Sequence, residues 1–186
     1  MMTPVSAPVG YYKVLIESIC SVPDSPGSPN ITKITCPEEI FVLFNCWCPE
    51  DTVFLDDEAQ REEYVLNDTG LIWVGTHRDY EPIPWNFGQY EVCVLECAVY
   101  LLSNANLAVG ARSDPVKLTR ALSALVNSND EGGMLWGRWT ETYPPNSTDP
   151  TEWVGSVEIL RQYLLNEEPV RYGQCWVFSG VLTTLL

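Results

Sequence analysis

RYGQCWVFSGVLTTLL (171–186) decides how the rest of the chain is read. From Trp176 onward the stretch is largely apolar, and Trp176, Val177, Phe178, Val181 and Leu182 would anchor a helix in a core. A Tyr172-Gly173-Gln174 turn precedes it, and a cysteine stands at the helix start. The first N–H groups of a helix lack intrahelical partners and carry positive partial charge. A thiol placed there gives up its proton more readily, and the thiolate is the nucleophilic form. Gly173 lets another backbone come close, and the N–H of Cys175 can face an oxyanion. The same cysteine has an inert reading, because a single cysteine in an apolar run is ordinarily a small buried hydrophobe. A nucleophile also wants a histidine base and an orienting carboxylate or amide. The one histidine, His77, stands in Gly-Thr-His-Arg-Asp and reads as a solvated loop group.

Working upstream, the pattern is α+β from about residue 51. Glu152 to Leu165 predicts a helix with Trp153, Val157, Leu160 and Leu164 on one face. A Pro, Ser and Thr loop (143–151) precedes it, and GGMLWGRW (132–139) reads as a turn entering an extended segment. Asp114-Pro115 opens a helix that ends near Asn127, with proline in the first turn. PWNFGQYEVCVLECAVYLLSNAN (84–106) has Val92, Leu95, Val99 and Leu102 near helical spacing. LIWVGT (71–76) is a strand, and DDEAQREEYVLN (56–67) a short charged helix. Residues 1–50 are β-like: YYKVLIES (11–18) and EEIFVLFNCW (38–47) flank a Pro, Gly and Ser loop at 21–33. Two strands make no stable sheet alone, so this region either packs on the rest or belongs to a larger sandwich.

Charge and composition narrow the function. Lys and Arg number 10 against 25 Asp and Glu, a net −15 over 186 residues. Phosphate-rich partners need clustered cations, so nucleic acid and anionic membrane are excluded as partners. An acidic surface suits oxygen-ligated divalent cations. No stretch reaches the length of a membrane span. The first ten residues show neither a basic nor an apolar signal region, so a cytoplasmic protein with reduced thiols is expected. The seven cysteines lack paired zinc-site spacing, and Cys46-Trp47-Cys48 would put two of them on opposite faces of a strand.

Tyr172-Gly-Gln-Cys-Trp-Val-Phe178 resembles the active-site segment of the animal calcium-dependent transglutaminases. FNCWCPEDTVFLDDEAQREEYVLNDTG (44–70), PWNFGQY (84–90), RSDPVKLTRALSALVNSND (112–130), GRW (137–139) and WVGSVEIL (153–160) resemble the same family in the same order. The epidermal type and its near relatives are most similar. The resemblance implies residues 1–50 as the end of an immunoglobulin-like β-sandwich. It implies 51–186 as the first part of a papain-like catalytic core. The implied activity is that of a protein-glutamine γ-glutamyltransferase: a cysteine thioester forms at a protein glutamine, ammonia leaves, and a lysine or polyamine accepts the acyl group. Cys175 matches the nucleophile. Trp139, 36 residues earlier, matches the tryptophan whose indole N–H stabilises the oxyanion. Indole is a donor without an acceptor role, which suits that task.

The resemblance also implies a calcium site at the end of the 115–127 helix. Ala124 would offer its carbonyl, Asn127 and Asn129 oxygens, and Glu131 a carboxylate, where the family commonly has Asp. Closely spaced oxygens at a helix C-terminus suit a hard cation; the same residues also read as a polar C-cap before Gly132-Gly133. The family's triad His and Asp follow the nucleophile, beyond Leu186. The chain is therefore expected to be a piece of an enzyme, weak or inactive by itself, with the apolar face of its last helix exposed. The alternatives are a truncated, non-catalytic binding or interfering module, and a papain-like peptidase or amidase.

Overall fold

The computed structural model of the chain describes residues 3–20 and 30–186, and at 20, 30, 130 and 131 the backbone alone. The β-branched runs of the first region pair with each other. Strand β1 (Gly10–Cys20) and strand β2 (Asn30–Val42) form an antiparallel pair from Gly10↔Val42 to Cys20↔Asn30. Lys13 faces Glu39 and Glu17 faces Lys33, so the register places opposite charges across the pair. Among the described residues this two-stranded pair is the whole of the first region's sheet. Of the loop expected at 21–33, residues 21–29 lie outside the described residues and 30–33 are strand. The second strand ends at Val42, short of the expected Trp47. Asn45 takes over there: its side chain accepts from Trp47 N–H, and its own N–H donates to Asp51. Cys46 and Cys48 therefore lie in a turn, with no strand faces to divide them.

Strands β3 (Thr69–Thr76) and β4 (Asp79–Asn86) make an antiparallel hairpin around His77-Arg78. The strand β4 replaces the start of the helix expected over 84–106. Pro82 and Pro84 lack an N–H, and among the described residues the sheet has two strands, so each proline can turn its nitrogen outward. The short charged helix begins as α1 (Glu58–Arg61), capped by Asp57 accepting from Gln60 N–H, and continues as a π-helical turn, Glu62–Leu66.

The core sits among four helices. These are α2 (Val92–Asn104), α3 (Pro115–Val126), α5 (Val157–Asn166) and α6 (Cys175–Leu185), with a four-residue turn of helix, α4 (Ser128–Glu131), after α3. Asp114 caps α3 by accepting from Val116 and Lys117 N–H, ahead of Pro115, as its sequence predicts. The segment expected as one helix from Glu152 divides. A 3-10 turn (Pro150–Glu152) is followed by an extended stretch that carries Trp153, and α5 starts at Val157. Trp153 is nonetheless buried and donates its indole N–H to Tyr172 O at 2.8 Å.

Helix α6 buries Val177, Gly180, Val181, Thr184 and Leu185, one face at helical spacing. That face meets Trp85 of β4 and Ile72 of β3, and lies against α2 and α3. Its apolar side is thus covered, contrary to the exposure expected from the sequence. Trp85 donates its indole N–H to Ser156 Oγ at 2.9 Å, and the Ser156 and Thr184 hydroxyls are hydrogen-bonded at 2.7 Å. These buried polar groups satisfy one another, which is the condition for keeping them in an apolar core.

Candidate active site

A third pair of strands builds the site. Strands β5 (Leu135–Gly137) and β6 (Val170–Gly173) run parallel, with Leu135↔Val170, Trp136↔Arg171 and then, after an irregularity, Gly137↔Gly173. Trp139 follows Gly137 by two residues, and Cys175 follows Gly173 by two. The extra residue at the irregularity brings the offset to 36, the separation of Trp139 from Cys175. Parallel pairing therefore delivers the two residues to the same end of the sheet, one on each strand's exit.

Both exits are held by hydrogen bonds. Arg138 N–H donates to Gly173 O at 3.2 Å. Gln174 Nε2 donates to Arg138 O at 3.3 Å and to the Tyr143 hydroxyl at 2.9 Å. That hydroxyl donates to Arg138 O at 3.0 Å. The Arg138 guanidinium lies 5.2 Å from the Tyr172 ring centre and 6.0 Å from that of Tyr143. Gly173 is buried on the Leu135 side chain, where a Cβ would come within 2.7 Å. This packing by itself requires a glycine at the position.

Cys175 is the first residue of α6 and is exposed. Gln174 occupies the cap position with extended backbone, and its side chain points across to β5 instead of capping. Val177 and Phe178 N–H close onto Gln174 O. The Cys175 N–H is among the helix's first donors, which favour negative charge in front of them. Trp139 is 64% exposed, and its ring lies over Gly137, where a Cβ would come within 2.8 Å of it. An exposed thiol and an exposed indole donor at one sheet end are what attack on a carbonyl compound requires of its nucleophile and its oxyanion donor.

The expected calcium ligands lie one step further back. Ala124 O accepts from Asn127 N–H at 3.2 Å. Asn127 Oδ1 accepts from Asn129 N–H at 3.0 Å, and Asn129 Oδ1 from Gly137 N–H at 2.6 Å. The Glu131 side chain lies outside the described residues. The described donors are neutral oxygens. Their chemistry fits a hard cation. No group of three or more His, Cys, Asp or Glu side chains that could hold a metal occurs among the described residues. His77 is exposed in the hairpin turn, where its Nε2 accepts from Arg78 Nε at 3.1 Å.

No protein-family model matches the chain. Human protein-glutamine gamma-glutamyltransferase K is 49% identical over 148 residues, 80% of this chain and 18% of that protein. Annulin of Schistocerca americana is 47% identical over 149 residues, 80% of this chain and 19% of its own length. Human protein-glutamine gamma-glutamyltransferase 2 is 39% identical over 194 residues, 100% of this chain and 27% of that protein. Among solved structures, red sea bream transglutaminase matches with a TM-score of 0.83 at 39% identity, over 99% of this chain and 28% of its own. The chain belongs to the transglutaminase family. It spans 18–27% of the length of these curated relatives.

Gln174, Tyr143 and Arg138 were not singled out from the sequence. A signal was there in the two strand exits. Trp136-Gly137-Arg138-Trp139 and Tyr172-Gly173-Gln174-Cys175 share one layout: an aromatic, a glycine, a long polar side chain, then the reactive residue.

Proposed function

We propose that the chain carries the nucleophile and the oxyanion donor of a protein-glutamine γ-glutamyltransferase. The observation that carries this reading is the common placement of Cys175 and Trp139 beyond Gly173 and Gly137 of a parallel pair. The Cys175 thiolate attacks the carboxamide carbon of a protein-bound glutamine. The carbonyl oxygen becomes an oxyanion, held by the Trp139 indole N–H and the Cys175 N–H. Ammonia leaves and a thioester forms. A lysine or polyamine amine then attacks the thioester, giving an isopeptide bond and returning the thiol; water in its place gives deamidation. The catalytic base and its carboxylate partner belong, on this reading, to the longer protein. His77 is not assigned the role, because its Nε2 is engaged by Arg78.

The same reading takes residues 51–186 as the first part of a papain-like core, entered from the end of an immunoglobulin-like sandwich. Ala124, Asn127, Asn129 and Glu131 would hold calcium, which when bound supplies a fixed positive charge to that loop. The Asn129 to Gly137 hydrogen bond links the loop to the strand that leads to Trp139.

The test is incorporation of a labelled primary amine into a glutamine-bearing protein by the complete natural protein. Incorporation is expected to vanish in Cys175→Ala and on calcium chelation. In Trp139→Phe, kcat is expected to fall by about 10²–10³. Incorporation that survives Cys175→Ala would overturn the reading. A non-catalytic role for the chain would be favoured if the natural protein shows none.

A further inference from the structure

We propose that Tyr143 and Gln174 are positioning residues that fix the Arg138–Trp139 peptide, and with it the indole, opposite Cys175. The inference rests on the reading of Trp139 and Cys175 given above, and it adds the device that aligns them.

The Trp139 ring needs such a device. It is 64% exposed, so a core does not hold it. It lies against the flat surface of Gly137. An exposed ring beside a glycine has freedom to swing unless its backbone is held. The backbone is held at three successive points. Gly137 N–H donates to Asn129 Oδ1 at 2.6 Å, and Arg138 N–H donates to Gly173 O at 3.2 Å. Arg138 O then receives two donors, the Tyr143 hydroxyl at 3.0 Å and Gln174 Nε2 at 3.3 Å. A carbonyl oxygen has two lone pairs, so this acceptor is fully used. Arg138 C=O and Trp139 N–H belong to one planar peptide unit. Turning that plane would break both bonds at once.

The clamp closes on itself, because Gln174 Nε2 also donates to the Tyr143 hydroxyl at 2.9 Å. Gln174 is the residue immediately before Cys175, and glutamine is not among the favoured helix caps. Its amide has left the cap position to reach the other strand. The Tyr143 ring is kept in place by Tyr172, at 5.7 Å between ring centres, and by the Arg138 guanidinium. Tyr143 thus acts on the indole from four residues downstream, through one peptide plane.

The deciding variant is Tyr143→Phe in the complete natural protein, which removes one oxygen and keeps the ring. Its kcat for amine incorporation is expected to drop by about tenfold, with KM within about twofold, as for an interaction felt in the transition state. In a Trp139→Phe background the same change is expected to cost nothing further, since its effect passes through the indole. A loss of equal size in both backgrounds would overturn the proposal. The second measurement needs no activity. The Trp139 indole N–H resonance, assigned by its absence in Trp139→Phe, is expected to shift or broaden in Tyr143→Phe. An unmoved resonance would overturn the clamp. Failure of the functional reading is distinct: it would show as an absence of Cys175-dependent incorporation in the unaltered protein, with the resonance still deciding the clamp.

Discussion

Two cysteines on facing elements of one domain illustrate how strongly position sets reactivity. Cys175 opens a helix and is exposed, whereas Cys97 is fully buried inside α2. Burial, with a smaller contribution from neighbouring Cys93, pushes the Cys97 thiol from 9.0 up to about 12. An alkylating reagent near neutral pH is therefore expected to mark Cys175 long before Cys97, as peptide mapping would show. The sign of the pH effect on folding follows. The folded chain keeps the Cys97 proton where the unfolded chain gives it up, so this contribution is complete below pH 9 and is lost between 9 and about 12. The slope in that window is about 1.4 kcal/mol per pH unit. Urea unfolding across it should show the decline, and Cys97→Ala should flatten it. At this scale the place of Cys175 at the start of an apolar helix, behind a glycine turn, was legible in the sequence; its proposed role as nucleophile was legible only through the resemblance. The partners of the Arg138 carbonyl were not legible, since a side chain reaching across parallel strands leaves no local periodicity.

At the level of elements, the seating of α6 fixes where Cys175 points. Gly180 is the contact that permits it, because a Cβ there would come within 2.4 Å of the Trp85 ring. Gly180→Ala should therefore destabilise the fold by about 1–3 kcal/mol through overpacking, measurable as a lower denaturation midpoint. Ser156→Ala should cost a similar amount, about 1–3 kcal/mol, by leaving the buried Trp85 N–H without its acceptor. Helix α3 was readable because its cap, proline and apolar spacing agree, and α6 because an apolar run follows a glycine turn. The end of strand β4, residues 84–86, was read with the helix because PWNFGQY runs directly into a helical apolar pattern. Only the pairing with β3, a tertiary fact, settles it. Trp153 misled in the opposite way. Its spacing from Val157 imitates a helix face, but it joins the core from an extended stretch, with its indole N–H satisfied by Tyr172 O.

Across the whole molecule, charge and apolar surface oppose one another. The chain carries −15, yet Leu15, Ile16, Ile19, Ile31 and Ile34 of the β1–β2 pair are all exposed. Repulsion keeps such surfaces apart while the charge lasts. Lowering the pH toward the sequence pI of about 4.2 should bring on self-association, visible by sedimentation velocity. Replacing the cross-strand pair Ile16 and Ile34 with threonine should suppress it without altering the helical signal. The division into a β-like first region and an α+β remainder was legible from composition alone. That the first region amounts, among the described residues, to one strand pair was not, because the same residues would serve equally in a larger sheet.

The register between Gly137 and Gly173 has a consequence for how the site could be taken apart. Alignment of Trp139 with Cys175 is carried by strand pairing and cross-strand bonds, and not by the covalent path between them. The turn at Pro144–Ser147, closed by a Ser147 hydroxyl bond to Pro144 O, lies on that path but outside the pairing. A backbone cut at Asn146 would leave indole and thiol on separate polypeptides, with α5, β6 and α6 on one and β5 on the other. Their reunion would rebuild the site from halves, making the domain a natural starting point for a complementation reporter read out at a single sulfur atom.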